Sequence, residues 1–142
     1  MAFLYEKDFA AWATRQAELL RQRRLAELDL DHLSEEIEEL AARERRALIS
    51  SLKLMLHHLL KWQYQPEKRS TAWEETIVRE RGNVEDALDD MPSLRQLLTP
   101  AWIDKAYRRA CRDAGRETKL PDDAFPEQCP YMLAEILGDW WP

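Results

Sequence analysis

From Asp31 to Gln65 apolar residues recur at helical spacing with no Gly or Pro to interrupt them: DHLSEEIEELAARERRALISSLKLMLHHLLKWQYQ. The pattern predicts a single helix, which at about 1.5 Å per residue spans roughly 50 Å. Turned at about 100° per residue, it puts Leu33, Ile37, Leu40, Ala41, Leu48, Leu52, Met55, Leu59 and Trp62 on one face. That face is the expected core. From Leu54 to Leu60 the apolar residues go nearly all the way round, so the second half of this spine should be covered from several directions.

Upstream, Tyr5, Phe9, Trp12, Ala13, Leu19 and Leu20 form a stripe on a first helix from about Tyr5 to Arg23. The link RLAELDL is short, which makes this helix an antiparallel neighbour of the first half of the spine. Downstream, Gln65-Pro66 ends the spine. Thr71-Ala72-Trp73-Glu74 fits a capping box that opens a helix running to about Asp90, with Trp73, Ile77, Val84 and Leu88 inward and Gly82 weakening its middle. Ser93 caps a short turn, and Thr99-Pro100 starts a helix that Gly115 should end. The remainder, with three spaced prolines, reads as an irregular wrap followed by a short helix from near Pro130. Alternation of the β type is absent. The expected fold is all-α: a helical bundle around one long central helix, with an irregular C-terminal wrap and a short final helix.

The 142 residues are read as one domain, 1–142, long enough to bury a core without disulfides or metal. With 45% hydrophobic and 34% charged residues the chain has the balance of a folded helical protein. No apolar run nears the roughly 18 residues a membrane span needs, and the opening MAFLYEKDFAAW is no secretory signal, so the expectation is a cytosolic protein away from the membrane. A net charge of −6 disfavours general nucleic-acid binding, which needs surplus Lys and Arg. Cys111 and Cys129 suit neither a disulfide nor a zinc site. Cys129, before Pro130, could be acidified by a helix start, although a small half-buried thiol is the preferred reading.

Four polar residues, Gln16, Glu44, His58 and Arg81, fall inside apolar stripes and need partners. A carboxylate–histidine metal centre along the spine fails on distance: Glu44 and His58 are fourteen residues apart, about 21 Å on a straight helix. It would require a hairpin near Arg43–Arg46, where no breaker stands, or an antiparallel dimer. No metal and no cofactor is therefore expected. If the spine pairs with the next helix across the PEKRS turn, His58, Lys61, Gln65, Arg69, Trp73 and Arg81 line one interface. Such cations around tryptophans suit a carboxylate or phosphate ligand. The competing reading is internal neutralisation by Glu80, Glu117 or the Asp122-Asp123 pair.

The segments YEKDFAAWATRQAELLR, LDLDHLSEEIEEL, HHLLKWQYQPEKRS, WEETIVRER, PSL and FPEQCPY give the chain a resemblance to a bacterial family catalogued as domain of unknown function 29. The resemblance covers essentially the whole chain, with HLLKWQYQP its most specific piece. It implies an all-helical domain of this length and no particular activity. It also implies motif roles for Asp29, Glu35, Glu36, His58, Lys61, Tyr64, Gln65, Arg69, Trp73 and Arg81.

The expected function is a non-catalytic interaction or oligomerisation module, partnered by a second copy or another protein. The motive is a spine longer than its cover, with aromatic ends such as Trp140 and Trp141. The alternative is an anion-binding site or small enzyme using His58, Lys61, Arg69 and Arg81, with His58 as acid–base. A weaker one is nucleic-acid association through Arg108, Arg109, Arg112, Arg116 and Lys119.

Overall fold

A computed structural model describes residues 2–142, the side chains of Ala2, Phe3 and Asp122 excepted. The described residues form α-helices and 3₁₀ turns with no strand. The helices are α1 (Ala2–Lys7), α2 (Phe9–Arg21), α3 (Leu30–Tyr64), α4 (Thr71–Asp90), α5 (Pro100–Thr118) and α6 (Leu133–Leu137). The fold is all-α, with α3 as the long central helix. α3 is helical through Arg43–Arg46.

The chain divides into two compact units, one ending at Glu44 and the other running from Arg45 to Pro142, and α3 runs through both. In the first unit the expected first helix is two. Asp8 leaves the helical region, and its carboxylate accepts the Ala11 N–H at 3.0 Å, so it starts α2 afresh. An acidic N-cap needs no Gly or Pro, which is why the hydrophobic pattern passes over it. The far end of α2 closes with Arg23 in the left-handed conformation (φ 58°), while Arg24 N and Arg23 N bond back to Leu19 O and Leu20 O.

The second unit holds one core. Leu52, Met55, Leu59 and Leu60 of α3 meet Ile77, Val84 and Leu88 of α4, Ile103, Tyr107 and Ala110 of α5, and Phe125, Tyr131 and Ile136 of the C-terminal cover. Each fully buried aliphatic or aromatic side chain contributes about 1.5–3 kcal/mol. The cover is tied down by polar bonds: Tyr107 Oη donates to Pro126 O at 2.6 Å, and Tyr131 Oη to Gln63 Oε1 at 2.7 Å.

Several element ends differ from the sequence expectation. Ser70, not Thr71, caps α4, its hydroxyl accepting the Trp73 N–H. The Pro92–Leu97 stretch is 3₁₀ without a side-chain cap from Ser93. α5 runs past Gly115 to Thr118, where Lys119 takes the left-handed position (φ 59°). α6 starts at Leu133 rather than near Pro130.

Candidate functional site

The cations expected to gather around a ligand are each held by the protein itself. Lys61, 2% exposed, places its ammonium 2.7 Å from Glu117 of α5 and 4.5 Å above the ring of Trp73. The other Glu117 oxygen is 2.6 Å from His57 Nε2. The Lys61 bond, with help from His57, outweighs partial burial and holds the Glu117 carboxyl below the usual range. Arg69 is exposed, donates to Trp62 O at 2.8 Å and lies 4.9 Å over the Trp62 ring. Gln65 is buried, its N–H bonded to Lys61 O, while Trp73 is half-buried.

Arg81 has a different task. Its guanidinium donates to Ile136 O at 2.9 Å, Glu135 O at 3.0 Å and Trp140 O at 2.5 Å, and lies 5.4 Å from the Trp141 ring. It caps the carbonyl end of α6, where the helix dipole favours a cation. Burial lowers its pKa, yet guanidinium stays charged. Trp141 is half-buried against Trp62 at 4.7 Å, so of the two terminal tryptophans expected to be exposed only Trp140 is, at 38%. His58 is half-buried with Nδ1 3.0 Å from Leu54 O, and desolvation depresses its pKa, which keeps the ring neutral near pH 7.

Among the expected neutralising acids, Glu117 takes that part. Glu80 pairs instead with Arg79 and Asn83. Asp122 lies outside the side chains described. Of the residues expected inside apolar stripes, Gln16 is buried and Glu44 is exposed, because the first half of α3 has less cover than its second.

The first unit carries a network the hydrophobic pattern does not reveal. Asp29 Oδ2 accepts from Trp12 Nε1 at 3.0 Å and meets His32 Nδ1 at 2.7 Å, while Asp29 N donates to Gln16 Oε1 at 2.8 Å. Tyr5 stacks on His32 with ring centres 3.9 Å apart, and its hydroxyl donates to Glu36 Oε1 at 2.5 Å. The Glu36 bond, then burial, pushes the Tyr5 pKa up to about 12. The Asp29 bond raises His32. Burial pushes Asp29 up, but the bonds from His32 and Trp12 prevail and leave it lowered.

Beside this network lies a groove of about 320 Å³ between α2 and α3, floored by Ala13 and Ala17. Phe9 (49% exposed), Leu20 (50%), Ile37 (64%) and Leu40 (58%) form its walls. Ile37 and Leu40, expected in the core, are thus open to solvent. Glu36 and Arg43, two turns apart on α3, also line it.

The family model described as Domain of unknown function DUF29 matches residues 4–141. The chain belongs to this family. No curated protein and no solved structure matches the chain. The motif positions implied by resemblance to the DUF29 family divide between the two units: Asp29 and Glu36 belong to the polar network of the first unit, and Lys61, Arg69 and Arg81 to the internally held cations of the second.

His32 was absent from the residues singled out in the sequence. The signal was present as Asp29-x-x-His32 at a helix start, a spacing that puts both side chains on one face. The cysteines are free thiols whose pKa values burial raises, and Cys129 stands four residues ahead of α6 rather than at its start. Arg108 faces a hollow of about 690 Å³ shared with Asp123 and Glu127, whereas Arg109 faces another, and Arg112 borders both. Among the described residues no helix is long and apolar enough to cross a membrane.

Proposed function

We propose that the chain is a non-catalytic oligomerisation module whose α2–α3 hairpin pairs with the hairpin of a second copy. The observation that carries the reading is the open apolar groove. A two-helix layer buries only the residues between its helices, here Trp12 and Leu19, and leaves Phe9, Leu20, Ile37 and Leu40 on its outer side. An exposed apolar strip rimmed by charge is the signature of an association surface.

Charge order favours a second copy as occupant. Glu36 and Arg43 flank Ile37 and Leu40 on the same groove. A two-fold axis near the midpoint of this stretch runs the copies antiparallel and sets each Glu36 against the Arg43 of the other copy, whereas a parallel copy sets like against like. Ala13 and Ala17 leave room for the incoming Ile37 and Leu40, giving a four-helix bundle. The internal engagement of His58, Lys61, Arg69 and Arg81 supports a structural task for these residues, consistent with a module that does no chemistry.

Sedimentation equilibrium of the full chain over a micromolar concentration series tests this. The expected result is a monomer–dimer equilibrium that Leu40→Glu abolishes. Glu36→Arg and Arg43→Glu should each weaken it and the double exchange restore it. A strict monomer at every concentration, or a dimer indifferent to Leu40→Glu, overturns the reading.

A further inference from the structure

In the second unit, Lys105, Arg109 and Arg112 stand on α5 at i, i+4 and i+7, so one helical stripe carries three positive charges. Lys53 of α3 adds a fourth. These side chains border a groove of about 240 Å³ whose remaining walls are apolar, chiefly Trp102 and Ala106. Lys53 and Trp102 are half-buried, and the other three cations are exposed. Among the described residues Lys53, Lys105 and Arg112 have neither an ion pair nor a hydrogen bond, and Arg109 has only a loose contact with Asp113 at 3.9 Å. No carboxylate borders the groove among the described residues.

The convergence of these four on one groove carries the argument. Lys61, Arg69 and Arg81 each have a carboxylate, carbonyl or indole that accounts for them. Here three cations without an ion pair and a fourth held only loosely by Asp113 line one groove in a chain of net charge −6, an arrangement that favours an anion between them.

We infer that this groove binds a small di- or triphosphate. Two guanidinium groups offer planar forks that match phosphate oxygens, and two ammonium groups supply compact charge beside them. The four positive charges match those of a pyrophosphate or triphosphate group, and the volume suits such a group rather than a longer polymer. Trp102 gives a flat apolar wall for whatever the phosphates are attached to. The site shares no residue with the hairpin groove, so it stands or falls independently of the oligomer.

Isothermal titration of the full chain with sodium pyrophosphate and, in parallel, with ATP tests the inference. One saturable site per chain is expected. Pyrophosphate as the tighter ligand would identify the inorganic anion, and ATP a nucleotide whose base lies on Trp102. Arg109→Gln should weaken binding by about tenfold or more. Arg108→Gln removes the same charge from the same helix but faces the other hollow, so it should leave binding within about twofold, since only diffuse screening changes. Both positions are exposed, and circular dichroism verifies that the variants fold. The inference is overturned if neither anion saturates, or if the two variants weaken binding equally, as a diffuse field would. Binding by single-stranded DNA that strengthens with length, with pyrophosphate inert, overturns it as well.

Discussion

The ammonium of Lys61 and the carboxylate of Glu117 lie 2.7 Å apart, yet the lysine side chain is 3% exposed and that of the glutamate 54%. The pair is one-sided: a buried charge is held by a group that still faces water. Removing the partner strands the lysine, so Glu117→Gln is expected to lower the unfolding free energy by about 1–2 kcal/mol, less than for a fully buried pair because water already screens the glutamate. Lys61→Met keeps the aliphatic stem against Trp73 and leaves Glu117 in solvent, so it should cost less. Urea titrations of the two variants check the order, and a reversed order would mean that the indole contact, not the ion pair, holds Lys61.

Two histidines should drive stability in opposite directions with pH. The Asp29 bond raises His32 above the ordinary imidazole value of about 6.5, so its contribution is complete below that value and is lost as pH rises through the raised one. Desolvation lowers His58, so the unfolded chain takes up its proton first, and stability falls as pH drops below about 6.5 toward the depressed value. Asp29, lowered, adds a further loss only in stronger acid. NMR titration of the imidazole signals should place His32 above and His58 below the ordinary midpoint. Asp29→Asn should bring His32 back toward that midpoint and leave His58 where it is.

The second half of α3 was legible in the sequence because Leu48, Leu52, Met55 and Leu59 repeat a helical period and the fold covers all of them. Leu33, Ile37 and Leu40 carry the same period, but periodicity states only which residues share a face, not whether a neighbour covers it. Ile37 and Leu40 are consequently open. Element ends set by a single side chain, such as the Asp8 cap, were invisible to the same pattern. The grouping of His58, Lys61, Arg69 and Arg81 came from turning the helices. Glu117 was among the acids expected to neutralise them, but the carbonyls of Glu135, Ile136 and Trp140 that receive Arg81 were not, because they come from the C-terminal cover more than 50 residues along the chain, which no local period encodes.

One substitution at two glycines should have opposite signs. Gly82 lies inside α4, and a methyl group added there meets nothing within 4 Å beyond the backbone of its own helical turns. Replacing it by alanine reduces the freedom of the unfolded chain without disturbing the fold, so Gly82→Ala is expected to stabilise by about 0.5–1 kcal/mol. Gly138 ends α6 with its N–H on Ala134 O at 3.0 Å, and a Cβ there would stand 2.7 Å from that same oxygen. The obstacle is backbone, which cannot rotate away as a side chain can. Gly138→Ala must therefore displace the end of α6, whose carbonyls from Glu135 and Ile136 receive Arg81. Thermal unfolding should rise for the first variant and fall for the second. Amide exchange should quicken around residues 133–142 in the second alone. Equal stabilisation by both would show that the C-terminal segment is not fixed by the Arg81 contacts.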